Sequence, residues 1–269
     1  MKNQLVTILV PNYKTPELTK LCLRLIRKNT DPEKAHVIVI DNDSQDESIE
    51  YLRTLPWIEL IERKNIPGDP PPVSHGLALD LALERVTTPY VLSIHSDTLM
   101  KRKDWLEYLL KHFDGKPNVA GVGSWKLESK PWHKRVLKHL ERIWQRFWFK
   151  VTGKKHRLRG VGDNKYYLRG HCSIYRMDHI KKYGLTFADG RVNPGELMHQ
   201  KLVQHGHDML FLPSETLGQY VDHVNHATVV LNPQLGSRKK TIDQGLKRIE
   251  RAMEQLQAKQ VLQDISLDK

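Results

Sequence analysis

The first 67 residues contain no glycine. That absence excludes the glycine-rich phosphate cradles. Both the GxGxxG turn after a first strand and the P-loop need glycine where the backbone closes on a phosphate. Cysteine is nearly missing too. Cys22 and Cys172 are the only two, too few for a disulfide framework and not spaced as a CxxC pair, so both are expected as small buried apolar residues. No apolar run approaches the ~20 residues needed to cross a bilayer. The opening MKNQLVTILVPNY has too short an apolar stretch, and no small-residue cleavage site, for a signal peptide, which makes the cytoplasm the expected location. There is no internal repeat and no low-complexity linker. The nearest thing to a break, IPGDPPP at Ile66 to Pro72, is too short to separate domains.

Acidic residues are scarce in one place. The chain of 269 residues has 43 Lys and Arg against 31 Asp and Glu, a formal net charge of +12. Between Lys126 and Gly160 there are twelve Lys or Arg and two Asp or Glu, so this one window holds +10. Hydrophobic residues make up 39%, enough for a sizeable core and too many for a disordered chain.

What is present is an alternation. LVTILV (Leu5 to Val10), HVIVI (His36 to Ile40), WIELIE and YVLSI read as short buried strands. Between them, TPELTKLCLRLIRKN, SQDESIEYLRTL and VSHGLALDLALERV carry helical spacing, with Thr15 as N-cap and Pro16 as the first helical residue. Strand–helix alternation predicts an α/β fold, a mostly parallel sheet with helices on both faces. Further on, HCSIYR and DMLFLP suggest strands and ELMHQKLVQHG a helix, and the tail from Thr241 to about Val261 reads as one charged helix.

Ligands of open α/β sheets gather at the carboxyl ends of strands. Four such ends deliver Pro11, Asn12 and Tyr13; then DNDSQD from Asp41 to Asp46; then Asn65; then His95, Ser96 and Asp97. Asp41 and Asp97 thus reach one edge. A carboxylate there can accept hydrogen bonds from a base or ribose, or coordinate a hard cation that neutralises a diphosphate. Tyr13 could stack on a base. Asp43, Ser44 and Asp46 are expected to serve the start of the next helix instead.

The ordered set VPNYKTPELTKLCLRLI, VIVIDNDSQDES, HGLALDLALERVTTPYVLSIHSD and LRGHCSIYRMDHI resembles glycosyltransferase family 2, inverting enzymes with the GT-A fold, over roughly Gln4 to Thr228. The resemblance implies one Rossmann-like GT-A domain over 1–230. Its nucleotide-sugar-binding half would be 1–125 and its acceptor half 126–230, followed by a helical tail at 231–269. It implies nucleoside contacts at Pro11, Tyr13 and Asp41, with His75, His95 and Ser96 also on the donor side. Asp97 matches the last Asp of the family's Asp-x-Asp motif, the ligand of a divalent cation, Mn²⁺ or Mg²⁺. The first Asp of that motif is His95 here. A late family histidine that completes the metal shell matches His223, with Thr228 in the expected place and His226 in reserve. The family's general base matches Glu196, which follows Pro194-Gly195 at a helix start, though the usual acidic pair is absent. Asp189 in FADG is the rival. Arg169 and His171 are candidates for phosphate or acceptor contacts.

The implied activity is inverting transfer of a sugar to an acceptor hydroxyl, on a growing glycan or lipid-linked saccharide in cell-surface polysaccharide or glycolipid synthesis. The basic window adds a location. On a helix over 131–151, Trp132, Val136, Leu137, Leu140, Ile143, Trp144, Phe147, Trp148 and Val151 form one stripe, with Lys134, Arg135, Lys138, Arg142 and Arg146 off it. Such a helix suits the surface of an anionic membrane, at the inner face of the cell membrane. The alternatives are packing on the sheet or on a second subunit. A separate reading, nucleic-acid binding through the basic aromatic window 126–160, lacks a strand platform of basic and aromatic residues, so nucleic acid is not the expected partner. A family relative without catalysis is the other alternative, since both the metal and base motifs depart from pattern.

Overall fold

The computed structural model describes residues 4–127, 140–141, 143–145, 147–149, 151–153, 166–224, 227–232 and 239–269. Seven strands form one sheet in the order β3-β2-β1-β4-β7-β6-β8. β1 (Val6–Asn12) is an inner strand, paired in parallel with β2 (Ala35–Asp41) and with β4 (Tyr90–Ile94), and β3 (Glu59–Glu62) extends β2 in parallel. β7 (Cys172–Arg176) runs antiparallel between β4 and β6 (Val119–Gly123), and β8 (Asp208–Phe211) closes the far edge parallel to β6. The two expected halves share this sheet, since β1 to β4 and β6 come from residues before 126 and β7 and β8 from residues after it.

The strands read as continuous apolar runs because both of their faces are covered. Ile8 and Val10 of β1, with Val37 and Val39 of β2, pack on one side with Leu18, Leu21, Cys22, Leu25 and Ile26 of α1 (Pro16–Asn29). Leu9, Ile38 and Ile40 point the other way, onto Ala78, Leu79, Ala82 and Leu83 of α3 (Pro71–Leu83). Period-2 strands meet period-3.6 helices on each face. The parallel strands β1 to β4 thereby present their carboxyl ends to one edge. Cys22 and Cys172 are fully buried free thiols, as expected, and burial pushes the Cys172 thiol up to about 12.

Two details differ from the sequence reading. Thr15 does occupy the N-cap position of α1, but its hydroxyl makes no cap bond. It pairs with Thr19 Oγ1 and with Ser96 Oγ, both at 3.1 Å, which ties the helix start to the end of β4. The tail is two helices, Lys239–Gln255 and Ala258–Gln263, separated at Gln257, whose φ of 50° is left-handed. That turn lets Ala258 and Val261 join the core beside α1. Of the expected helix 131–151, the described helical residues are 140, 141, 143–145, 147–149 and 151, while Trp132, Val136, Leu137, Lys134, Arg135, Lys138, Arg142 and Arg146 lie outside the described residues.

The tail is held by a buried cation. Arg24 of α1 is 1% exposed. Its Nη1 donates to the carbonyls of Val261 (3.2 Å) and Leu262 (2.5 Å), which the last turn of Ala258–Gln263 leaves free, and its Nε and Nη2 take both oxygens of Asp268. Tyr51 of α2 (Ser48–Arg53) donates to Asp268 Oδ1 at 2.8 Å. Removing Asp268 leaves a desolvated guanidinium without its counter-charge. Asp268→Ala is expected to lower unfolding stability by roughly 2–3 kcal/mol, read as a shift of the denaturation midpoint; an unchanged midpoint would leave the clasp without energetic weight.

Candidate functional site

β4 ends at Ile94, and the chain turns through His95, Ser96 and Asp97 into β5 (Thr98–Met100). β5 pairs antiparallel with β9 (Val221–His223) in a register that sets Thr98 opposite His223. This two-stranded ladder brings a histidine from 126 residues further along the chain against Asp97. His223 Nε2 lies 3.1 Å from Asp97 Oδ1, and His95 Nδ1 lies 3.9 Å from the same oxygen. One ligand atom from each of these three residues falls within 4.8 Å of the others. Asp97 Oδ2 accepts from the Ala227 amide at 3.3 Å. His226 lies outside the described residues.

Asp97 Oδ1 and His223 Nε2 are buried, and neither makes a hydrogen bond. Burial by itself would raise the Asp97 carboxyl. The neighbouring imidazoles, His223 first and then His95, and the Ala227 amide outweigh it and hold the carboxyl far below its usual range. Burial, then the neighbouring His75 and His223, brings His95 down to about 3. Burial likewise takes His75 to about 4 and holds His171 well below its ordinary value. At neutral pH the corner therefore combines an ionised carboxylate with the uncharged imidazoles of His75, His95 and His171. The donor set fits a divalent ion: two imidazole nitrogens and one carboxylate oxygen. Its open side is at His95, 35% exposed, where the other two side chains are 9%.

Further histidines frame the centre. His75 on α3 stands 5.2 Å from His95 between ring centroids, and its Nε2 is buried and unpartnered. His171 stacks on His223 at 4.9 Å and shares a 2.8 Å hydrogen bond between its Nε2 and Ser124 Oγ. His171 is thus committed to holding the His223 ring. Arg169 lies over the Trp125 ring at 4.7 Å and close enough to His95 to lower it further.

On the other side of β1 the loop ends form a polar lattice. Asn12 Nδ2 donates to Asp41 Oδ1 (2.7 Å) and to Ser44 Oγ (3.0 Å), and the Ser44 amide donates to Asp41 Oδ2 (3.1 Å). Both Asp41 oxygens thus already carry one internal bond. Ser44 belongs to this lattice and not to a helix cap, while Asp46 accepts from the Ser48 amide at the start of α2. Tyr13 is half-buried beside it, with Lys14 Nζ over its ring, and Pro11 pairs with Ile40 inside the sheet. Arg63, which sequence reasoning passed over, is buried here. It donates to Asn42 Oδ1, Asn65 Oδ1 and Ser74 Oγ, three uncharged acceptors. The signal for it was present, since Arg63 immediately follows β3.

The two carboxylates of the second half stand apart in their bonding. Asp189 accepts from Lys201 Nζ (2.7 Å) and Thr186 Oγ1 (3.1 Å). Glu196 opens the helix Glu196–Gln204 after Gly195, whose φ is 74°, and takes one bond, from Asn193 Nδ2 at 2.7 Å. Burial raises the Tyr167 hydroxyl, Arg169 opposes that rise and the charge of Glu196 adds to it. The segment is docked onto α3. Asp80 accepts from the amides of Phe187 (2.6 Å) and Ala188 (3.1 Å), and a Cβ on Gly76 would meet Ala188 Cα at 2.9 Å.

No curated protein matches this sequence. A profile of glycosyl transferase family 2 matches residues 7–184, which takes in Asp41 and Asp97 and stops before Glu196 and His223. Mannosyltransferase PcManGT from Pyrobaculum calidifontis, solved with GDP-Man and Mn²⁺, is similar at a TM-score of 0.54 and 20% identity, over 77% of this chain and 54% of its own. S. aureus TarS 1–349 is similar at a TM-score of 0.52 and 15% identity, over 93% of this chain and 72% of its own; the same fragment with UDP-GlcNAc gives 0.52 and 15%, over 93% and 73%. At these identities the likeness is one of fold, the GT-A type of Rossmann-like α/β sheet. The chain spans about half the length of the mannosyltransferase.

The docking of residues 186–196 depends on pH. Burial raises the Asp80 carboxyl to about 6 from its ordinary 3.8, against the pull of the two amides. The folded state therefore holds this proton more tightly than the unfolded chain. Stability from Asp80 is complete below about pH 4 and is lost as the pH rises through 6. Asp80→Asn cannot ionise, so between pH 4 and 7 the balance should move in the variant's favour by ~1–2 kcal/mol. Parallel pH curves for the two proteins would refute the assignment. Asp80→Ala should speed amide exchange at Phe187 and Ala188 by about tenfold or more.

Proposed function

The chain belongs to glycosyl transferase family 2, and from that premise we propose that it transfers a sugar from a nucleotide-diphosphate donor to an acceptor hydroxyl, with inversion at the anomeric carbon. One observation carries the reading. Asp97 Oδ1 and His223 Nε2 face each other at 3.1 Å, buried and hydrogen-bonded to nothing, at the sheet edge where such folds take ligands. Asp97, His223 and His95 would hold a divalent cation, Mn²⁺ or Mg²⁺, whose charge stabilises a leaving diphosphate. A nucleotide-sugar donor is supported by the similar structures solved with GDP-Man and UDP-GlcNAc.

The chain's own residues divide the remaining work. Tyr13, Pro11 and Asp41 border the nucleoside, and the Asn12–Ser44–Asp41 lattice fixes that loop before the donor arrives. Ser96, tied to Thr15, holds the turn of the metal corner. His75 offers its unpartnered nitrogen to the diphosphate or the sugar. In the transfer, the acceptor oxygen bonds to the anomeric carbon as the carbon–oxygen bond to the diphosphate breaks, and the hydroxyl proton passes to a carboxylate. Glu196 is the better base. Asp189 is engaged by an ammonium and a hydroxyl, whereas Glu196 has one neutral partner.

The acceptor we infer is a growing glycan or lipid-linked saccharide of a cell-surface polysaccharide or glycolipid, met at a membrane surface. No helix among the described residues is long and apolar enough to cross a membrane. Yet Leu140, Ile143, Trp144, Phe147, Trp148 and Val151 repeat at three and four residues and are all exposed, Trp144 by 62%. None is packed on the sheet of its own chain. With +10 in the surrounding window, an anionic lipid surface suits this stripe.

Asp97→Ala should abolish transfer from UDP-, GDP-, CDP- or TDP-sugars while the far-UV spectrum is kept. Glu196→Gln should slow turnover by at least ~10²-fold with donor affinity nearly unchanged. If Asp189→Asn shows that signature instead, the roles exchange; if the wild type turns over no donor, the enzymatic reading fails. Liposome flotation checks the location. Binding should need anionic lipid, weaken with salt and disappear in Trp144→Glu/Trp148→Glu. Flotation of that variant, or wild-type binding to single-stranded nucleic acid in place of lipid, would overturn it.

A further inference from the structure

The donor set at the metal corner is unusual for an ion that only has to meet a diphosphate. Oxygen ligands suit Mg²⁺, which takes near-ideal octahedral geometry and keeps its waters. Here two of the three protein ligands within 4.8 Å are imidazole nitrogens, and a single carboxylate supplies all the negative charge. His95 has no competing occupation, because its ring makes no hydrogen bond among the described residues. His223 is steadied from behind by His171, itself fixed to Ser124, the kind of outer support that raises a metal site's affinity.

We infer that this centre selects nitrogen-seeking transition ions over Mg²⁺, and that His95 sets the preference. The inference rests on the metal reading above and adds to it which ion the chain prefers. Replacing a carboxylate by a neutral imidazole removes one unit of negative charge from the site. A hard ion held mainly by charge loses that attraction with nothing in return. Co²⁺, Ni²⁺ and Zn²⁺ gain a nitrogen bond in exchange. A second consequence follows for the order of binding. Mg²⁺ would need the diphosphate oxygens to complete its shell, whereas Co²⁺ or Zn²⁺ would be retained by the protein before any nucleotide binds.

Calorimetric titration of the chelator-treated full chain, without nucleotide, tests this. Co²⁺ and Zn²⁺ are expected to bind one per chain, with Mg²⁺ weaker on the order of a hundredfold. Co²⁺ should also give a visible absorption band that His95→Asp shifts. In His95→Asp the Co²⁺ affinity should fall by about tenfold or more, while Mg²⁺ affinity holds or rises. Thermal melts of the ion-free variants identify any that do not fold, and His95→Asn, similar in size to Asp but uncharged, stands in where Asp does not. If wild-type Mg²⁺ affinity lies within tenfold of Co²⁺, or if His95→Asp leaves the preference and the band unchanged, the selectivity is wrong and the metal–diphosphate reading stands. If Asp97→Ala still binds Co²⁺ with the wild-type band, the ion sits elsewhere and both fall.

Discussion

Asp97 keeps its charge where there is almost no water, 7% exposed, and its neighbours are arranged around the cost of that burial. The Ala227 amide takes one oxygen. The other oxygen faces His223, which reaches it only because β9 pairs with β5 in the register that sets Thr98 against His223. A shift of one residue in that short ladder would turn the imidazole to the opposite face. Thr98 is in turn pinned, its hydroxyl on the His171 carbonyl at 2.7 Å and its own carbonyl on the Cys22 thiol at 3.1 Å. The three-residue strand is therefore fixed from α1, from the turn before β7 and from β9 together. The buried charge is tolerable because that frame is rigid.

Much of this was legible in the sequence. Continuous apolar runs and helical spacing gave the order of elements, and the strand-end rule delivered Asp41, His95 and Asp97 to one edge. What composition could not give was the long-range pairing. His223 was one of fourteen histidines, and its partner was decided by a ladder too short to read from pattern. Asp41 shows the opposite limit. Its place at a strand end was plain, but its bonds to Asn12 and Ser44 depend on two loops meeting. Thr15 reads as a cap and serves as a tie to Ser96, because a nearby hydroxyl competes with the helix amides. Glu196 was set before Asp189 only by its Pro194-Gly195 helix start. Lys201, one helix face away, separates them by engaging only Asp189.

The tail repeats the theme of a charge placed inside and answered there. Arg24 closes the free carbonyls of one helix and the carboxylate of Asp268, so residues 258–268 become part of the layer covering α1. Helix Lys239–Gln255 also packs on Ala227–Leu231, where a Cβ on Gly245 would collide with Val230. Ala227 is the residue whose amide meets Asp97. The tail and the metal corner are thus two packing steps apart.

Helix α3 joins the histidine corner to the segment before Glu196 within two turns. His75 faces the histidine corner, Gly76 admits Ala188, and Asp80 ties down the segment that ends at Glu196. A recombinant exchange of residues 186–196 with those of a relative would therefore not behave as a modular swap. Without a matching glycine and carboxylate on α3, the transplanted segment would press on the helix that carries His75 and disturb the histidine corner. The segment and the helix would have to be transplanted as one unit.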